Sequence, residues 1–371
     1  MEPLRDLAHD ARPAVVTLAL TMRILFDARS VRTPSSRYIL RGLTAGWLRD
    51  PRVSQVFVAV RRGFDVSLLA GGVQAVTLPG GNWATHLLSE LGRIADDCDA
   101  DLLFCPNGLA PRDSRAVLYF QDMFHFRLDG GAPSPAQEWL KNRARASWRQ
   151  LSSDSWKLAI SVSRQVSREV EMRMGIPSVV VPNGVDVGDA WWTGDGDHVF
   201  VLGGIGPRKD EQTAVRAWSR LSRTVRKGLV LRIAGVEPAT RRVSLTELAG
   251  SLGLSDEVCI MGTLARDEYL EQIARARLVI SCSRLEAFSL PVAESVAIGA
   301  PLLCTSIASH MELLESTGAG AAFEPRNVDE LATKLFDALS GTMPPQLHAS
   351  PAGWSWEDRA REHVDAYERY A

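Results

Sequence analysis

Two glutamates in the segment EAFSLPVAE have the side chains and spacing to bind a polyol. Glu286 follows an apolar run that predicts a buried strand ending near Ser283, and Glu294 comes eight residues after Glu286. Ser289 and Pro291 are typical of a helix start, so one carboxylate is expected on a loop and the other inside a helix. Carboxylates accept hydrogen bonds from sugar hydroxyls, and the free N–H groups at a helix start suit an anion. The alternative is that Glu294 only complements the helix dipole and Glu286 is solvated.

A second group of candidate residues follows another apolar run, in the segment VLGGIGPRKDEQ. Gly204 and Gly206 predict a tight turn, and the adjacent cations Arg208 and Lys209 precede a helical pattern that starts near Glu211. Such a turn brings backbone N–H groups towards an anion, and the cations would neutralise a diphosphate. The segment has neither the GK[ST] of a Walker A loop nor a full GxGxxG, and the alternative is a surface turn with solvated charges.

The elements that must position these residues alternate between short apolar runs and helical patterns, as in stacked βα units. Near-continuous apolar character indicates parallel strands buried on both faces. One series of strands is predicted at 23–27, 55–60, 101–106, 117–122 and 157–163, and a second at 198–204, 229–235, 257–262, 278–283 and 301–306. In such sheets ligands bind beyond the carboxyl ends of strands, where both candidate segments lie. The pattern predicts an α/β protein of two Rossmann-like, doubly wound parallel-sheet domains that face a cleft.

The length of 371 residues exceeds the usual size of one hydrophobic core, which also favours two domains. The stretch from Pro182 to Asp197 is rich in Gly and Asp and lacks periodicity, so it is the linker candidate. We expect an N-terminal extension at 1–21, a first domain at 22–182, a linker at 183–197, a second domain at 198–345 and, at 346–371, a C-terminal helix that crosses back towards the first domain.

Composition disfavours several classes of protein. No apolar run approaches the roughly 20 residues that span a bilayer, so an integral membrane protein is not expected. A formal net charge of -2 gives no global field for nucleic acid. The five cysteines have no CxxC spacing and predict buried thiols in a reducing, cytoplasmic compartment. Residues 1–21 carry acidic residues ahead of a short apolar stretch and are not expected to be a signal peptide.

Several segments together resemble family 4 of the glycosyltransferases, whose members have the two-domain GT-B fold. The E-x7-E signature of that family matches Glu286 to Glu294, with Ala287 and Ser289 where glycines are usual. The other matching segments are, in chain order, VPNGVD, VLGGIGPRKD, the IAG strand end, MGTLARDEYL and SHMELL. The resemblance runs from about Met22 to the C-terminus. Because Gly serves where φ is positive or a ligand comes close, the two replacements predict an altered sugar pocket.

The resemblance implies a retaining transferase of hexoses (mannosyl, glucosyl or rhamnosyl) in polysaccharide biosynthesis, with a nucleotide-sugar donor and without a metal ion or cofactor. Glu286 would contact the donor sugar, and Glu294 would contact the ribose. Arg208 and Lys209 would bind the diphosphate and, with Glu286, form the catalytic set. Cations and helix amides would then stabilise the departing phosphate. The whole implied donor site is Gly204, Gly206, Arg208, Lys209, Glu286, Ala287, Phe288, Ser289, Leu290 and Glu294.

The first domain is predicted to bind the acceptor, which the resemblance implies is a glycan, a lipid-linked molecule or a small natural product. Ser36 is a candidate N-cap of the first helix, and Ser35 lies in the loop that would face the donor. Gln121 stands where the family usually has His, and Asp122 is retained. His125 could take the place of the missing His, or it could be a packed member of an aromatic cluster.

The segment 138–151 has a basic helical pattern with two tryptophans. It is a candidate for peripheral contact with anionic lipid on the inner face of the membrane. The alternative is an ordinary solvated helix face with buried Trp side chains.

Three other functions fit parts of the pattern. A non-hydrolysing sugar-nucleotide epimerase shares the GT-B architecture but does not need the E-x7-E arrangement. A nicotinamide-dependent dehydrogenase needs an intact GxGxxG with an acidic residue about 20 positions later, which neither half supplies convincingly. A catalytically silent protein that only binds sugar nucleotide is the non-enzyme alternative, favoured by Ala287, Ser289 and Gln121.

Overall fold

The structure is a computed structural model. It describes residues 21–80, 90–106, 108–121, 147–148, 152–156, 158–204, 207–226, 228–236, 238–341 and 353–370. Within these ranges no helix has both the length and the apolar character needed to cross a membrane.

The first domain is built on a parallel sheet of seven strands. They are β1 (Met22–Asp27), β2 (Val53–Val60), β3 (Gln74–Thr77), β4 (Leu102–Pro106), β5 (Ala116–Phe120), β6 (Leu158–Ser161) and β7 (Ser178–Val180). The order across the sheet is β3-β2-β1-β4-β5-β6-β7. Its described helices are α1 (Pro34–Trp47), α2 (Leu91–Asp97) and α3 (Arg164–Met174).

The second domain repeats this plan with a parallel sheet of six strands. They are β8 (His198–Leu202), β9 (Val230–Ala234), β10 (Val258–Ile260), β11 (Leu278–Ser281), β12 (Leu302–Thr305) and β13 (Ala321–Phe323). Their order is β10-β9-β8-β11-β12-β13. The helices are α4 (Glu211–Arg220), α5 (Arg223–Arg226), α6 (Ala239–Ser251), α7 (Arg266–Arg275), α8 (Leu290–Ile298), α9 (Ala308–Thr317) and α10 (Val328–Leu339), followed by the C-terminal α11 (Trp356–Tyr370).

The predicted pair of doubly wound parallel sheets is confirmed, and its central strands are buried along their whole length. Every residue of β4, β5, β8, β11 and β12 is buried, as continuous apolar runs require in a sheet covered on both faces. The apolar pattern did not predict β3, β7 and β13, which are three or four residues long; β3 is mostly exposed, and β7 and β13 are mostly only partly buried. Short strands at a sheet edge carry little apolar periodicity. Of the five cysteines, Cys259 is exposed, so the prediction of buried thiols is wrong for that residue.

The C-terminal helix α11 packs against α1 of the first domain through its first residue. Trp356 is buried, and its ring meets that of Tyr38 edge-on with the centroids 5.4 Å apart. Gly42 of α1 allows this approach, because a Cβ there would lie 2.3 Å from the Trp356 ring. Just before α11, the carbonyl of Trp354 accepts a hydrogen bond from the N–H of Val185 between the sheets. The C-terminal segment therefore holds α1 against the segment that joins the domains.

Candidate active site

The two candidate segments meet at the carboxyl ends of β8 and β11. These neighbouring strands are the point where the strand order of the second sheet reverses, which is where doubly wound sheets form a ligand crevice. Two hydrogen bonds join the loops that follow the strands. The N–H of Arg284 donates to the Arg208 carbonyl over 2.8 Å, and the Arg208 guanidinium donates to the Leu285 carbonyl over 3.0 Å.

Glu286 is the centre of the charged cluster. Its Oε1 lies 2.7 Å from Nη1 of Arg208 and 2.7 Å from Nζ of Lys209. Glu286 and Lys209 are only 8% and 7% exposed, so the alternative of a solvated Glu286 is wrong. Burial opposes ionisation, but Lys209 and Arg208 outweigh it and lower the pKa of Glu286 to about 2. The carboxylate is therefore ionised at neutral pH and can only accept hydrogen bonds.

The turn after β8 delivers Lys209 to this position. Pro207–Lys209 form one turn of 3₁₀ helix, and Gly204 lies so close that a Cβ there would be 3.0 Å from the Lys209 side chain. The buried Glu211 accepts a hydrogen bond from the Gly204 N–H over 3.2 Å, and Arg241 donates to the Gly204 carbonyl over 2.9 Å. Arg241 also pairs with Glu211. Gly206 lies outside the described residues.

Glu294 lies on α8 and is held by a different cation. Its Oε1 is 2.5 Å from Nη1 of Arg266, the first residue of α7. Burial raises the pKa of Glu294, and Arg266 opposes that shift. The Arg266 guanidinium also donates to the Asp186 carbonyl over 2.8 Å and lies 4.7 Å from the centroid of the Tyr38 ring. Arg266 thus contacts the second domain, the joining segment and α1 of the first domain.

The loop at residues 283–289, here called the Glu286 loop, ends at the start of α8. Ala287 and Phe288 are buried, and Leu290 is the first residue of the helix. Ser289 occupies the N-cap position, but its backbone is left-handed with φ 72° and ψ 68°, and its hydroxyl does not cap the helix. Ser289 therefore marks the predicted helix start without supplying the side-chain cap that makes Ser typical of that position. Of the two residues that replace the usual glycines, Ser289 has a positive φ and Ala287 does not.

Three of the five acceptor-side candidates lie in the described residues, and one of them, Ser36, does not have its predicted role. Thr33, not Ser36, is the N-cap of α1, because Pro34 takes the first helical position that Pro favours. Ser36 completes a capping box, because its hydroxyl oxygen accepts a hydrogen bond from the Thr33 N–H, and Ser35 is exposed. Gln121 follows β5 and is partly buried. Asp122 and His125 lie outside the described residues, as does most of the segment 138–151.

The buried Glu286, its two cations and the start of α8 all lie in a part of the chain that matches a protein family. Residues 192–351 match the family model described as "Glycosyl transferases group 1". O-antigen chain mannosyltransferase B of Escherichia coli is 23% identical over 181 residues, which are 47% of this chain and 46% of that protein. Lipopolysaccharide glucosyltransferase WaaG of E. coli strain K12 is 23% identical over 165 residues, 44% of this chain and 41% of that protein. The chain spans less than half the length of these curated relatives.

The fold comparison covers nearly the whole chain. The crystal structure of Anabaena HepE in complex with UDP-glucose has a TM-score of 0.63 and 17% identity, and covers 94% of this chain and 95% of that chain. At this identity the likeness shows the fold alone. Together with the two Rossmann-like sheets, it confirms the predicted GT-B fold.

Four side chains of the site were not singled out from the sequence. They are Glu211 and Arg241, which hold Gly204, Arg266, which holds Glu294, and Tyr38, which contacts Asp186 and Arg266. The signal for Arg266 was present, because it starts a helix in the segment MGTLARDEYL. Glu211 and Arg241 carry no such signal, since charged residues on helices are usually solvated.

Proposed function

We propose that this chain is a retaining, metal-independent glycosyltransferase that moves a hexose from a nucleotide-sugar donor to an acceptor hydroxyl. The observation that carries the proposal is the cluster of the buried Glu286 and Lys209 with the partly exposed Arg208 at the start of α8. The match to glycosyl transferases group 1 and the UDP-glucose complex of HepE support the reaction class and the donor.

The charges of the cluster suit a departing nucleoside diphosphate. Two cations and one carboxylate leave a net charge of +1, and the first N–H groups of α8 add a positive dipole end. Arg208 and Lys209 would bind the diphosphate and stabilise the negative charge that develops as the glycosidic bond breaks. Glu286, held ionised, would accept hydrogen bonds from the donor sugar, and Glu294 would accept them from the ribose.

The acceptor would bind to the first domain, and closure of the cleft would exclude water that could hydrolyse the donor. In this proposal the acceptor hydroxyl attacks from the face of the leaving group, and a phosphate oxygen helps to take its proton. Arg208, Lys209 and the amides of α8 would take the role that a metal ion has in other transferases. The names of the E. coli relatives favour mannosyl or glucosyl transfer to a glycan or lipid-linked acceptor, with rhamnosyl transfer still open.

The proposed setting is cytoplasmic, with contact to the inner face of the membrane through the segment 138–151. A lipid-linked acceptor would require such contact. Two alternatives stay open, an epimerase of the same fold and a silent sugar-nucleotide-binding protein. Product analysis without acceptor separates the epimerase from the transferase, because only the epimerase interconverts the sugar nucleotide.

A thermal-shift screen tests the donor class and the metal independence. We expect one member of a panel of GDP-, UDP- and dTDP-sugars to raise the melting temperature, equally in excess EDTA and in excess Mg²⁺. A ligand at ~100 times its dissociation constant adds about 2.7 kcal/mol to the free energy of unfolding. A shift that disappears in EDTA would contradict metal independence, and the absence of any shift would contradict the donor class.

A further inference from the structure

A chain of buried hydrogen bonds lies behind the Glu286 loop. Nε2 of His310 lies 3.2 Å from Oγ of Ser289, and its Nδ1 lies 3.0 Å from the Thr305 carbonyl. The Thr305 hydroxyl in turn donates to the carbonyl of Ser283. Ser283 and Ser289 are the two ends of the Glu286 loop. The chain therefore ties both ends of that loop to β12 and α9.

The direction of each hydrogen bond follows from its partners. A carbonyl can only accept, so Nδ1 of His310 carries the proton that it donates to Thr305, and in the neutral ring Nε2 is an acceptor. The Ser289 hydroxyl must then donate to Nε2. Burial lowers the pKa of His310 to about 4, although the nearby Glu286 opposes the shift, so the ring is neutral at physiological pH.

The backbone of Ser289 explains why such a fixed partner is needed. At φ 72° a residue with a Cβ is strained, whereas glycine adopts this conformation without penalty. Ser289 and His310 are 6% and 0% exposed, so water contributes little to holding this conformation. The hydrogen bond from Ser289 to His310 offsets the strain of the left-handed backbone.

We propose that His310 is a positioning residue for donor binding, which holds Ser289 in the left-handed conformation and so fixes Glu286 and the start of α8. This inference rests on the proposed function, because the ligand of the Glu286 loop is taken to be a nucleotide sugar. His310 acts through Ser289 and need not touch the donor.

Two substitutions at position 289 separate the effect of the hydroxyl from the effect of the Cβ. Both Ser289→Ala and Ser289→Gly remove the hydroxyl, but only Ala keeps the strain. Calorimetry with UDP, GDP and dTDP first identifies the nucleoside diphosphate that the wild type binds. We expect S289A and H310A to weaken its binding at least about fivefold, and S289G to change it less than about threefold.

A double variant supplies the decisive comparison. In the S289G background, H310A is expected to cost less than about threefold in affinity, because glycine needs no partner to keep a positive φ. The control is S295A on α8, whose hydroxyl donates to the Pro291 carbonyl and should leave affinity unchanged. Three results would overturn the proposal. They are wild-type affinity in H310A, an affinity of S289G as low as that of S289A, or a loss of affinity from H310A that is as large in the S289G background as in the wild-type background.

Amide hydrogen exchange gives a readout that needs no ligand. In peptides covering 283–292, we expect S289A and H310A to exchange at least about fivefold faster than the wild type, and S295A to exchange at the wild-type rate. If the wild type binds none of the three nucleoside diphosphates, the proposed function fails. In that case unchanged exchange in H310A would overturn the positioning role, and faster exchange would support it.

Discussion

Replacement of Lys209 with Ala is expected to weaken nucleoside diphosphate binding by roughly 10- to 150-fold, because a hydrogen bond to a charged group contributes about 1.5–3 kcal/mol. Glu286→Gln is expected to do the opposite. Glu286 attracts both Lys209 and Arg208, so its neutralisation removes that competition and strengthens the attraction of the two cations for phosphate. Nucleoside diphosphate should then bind more tightly than in the wild type, while sugar transfer falls.

The two variants are informative because they change nucleoside diphosphate affinity in opposite directions although Lys209 and Glu286 are in contact. Calorimetry measures the nucleoside diphosphate affinity, and a transfer assay measures turnover. Lys334→Ala is the matched control, because Lys334 lies on α10 and its ion pair within the described ranges is one with Glu330 at 3.8 Å. Loss of affinity in E286Q equal to that in K209A would show that the cluster is only structural. Near-wild-type turnover in K209A with the true substrates would refute the assignment.

Replacement of Arg266 with Ala is expected to lower the free energy of unfolding by about 1–3 kcal/mol. Breaking a buried ion pair costs about 3–5 kcal/mol, and we reduce that value because water reaches the partly exposed Arg266. The Glu294 carboxylate would stay buried without its cation, which raises its pKa further. Since a protonated Glu294 is tolerated in the interior, the loss of stability should be largest at neutral pH and shrink as the pH falls.

A second substitution tests this explanation. In R266A/E294Q no uncompensated charge stays buried, so most of the lost stability should return. Nucleoside diphosphate affinity should stay below that of the wild type, because the neutral amide oxygen that E294Q introduces accepts hydrogen bonds from the ribose less strongly than the Glu294 carboxylate. Urea unfolding and calorimetry measure the two quantities. R275A on the same helix is the control, because in the part of the chain that the structure describes Arg275 pairs with the exposed carboxylates of Asp195 and Glu271. A double variant less stable than R266A would contradict the uncompensated-charge explanation.

The fold could be predicted because parallel strands that are buried on both faces require continuous apolar runs, which are visible in the sequence. The position of the site followed from the same pattern, since residues after β8 and β11 must meet where the strand order reverses. The short strands β3, β7 and β13 were missed because their few residues lie at sheet edges or are only partly buried.

The errors within the site have local physical causes. The stretch TPSS offers three capping side chains, and the position of Pro34 was the signal that favoured Thr33 over Ser36. The left-handed backbone of Ser289 could not be read from its residue type, because Ser rarely adopts it and the partner His310 lies on another helix. The helix start at Arg266 was visible in the segment MGTLARDEYL, but its contact with Glu294 was not, because that contact depends on how α7 and α8 pack.

The most direct test of the account is to incubate the wild-type protein with the sugar nucleotide that stabilises it and a set of glycan and lipid-linked acceptors. Proton NMR then follows the products. We predict release of one nucleoside diphosphate for each glycosidic bond formed, with the anomeric configuration of the donor retained in the product. Interconversion of the sugar nucleotide without acceptor, or no consumption of any bound donor with any acceptor, would contradict glycosyl transfer as the function of this site.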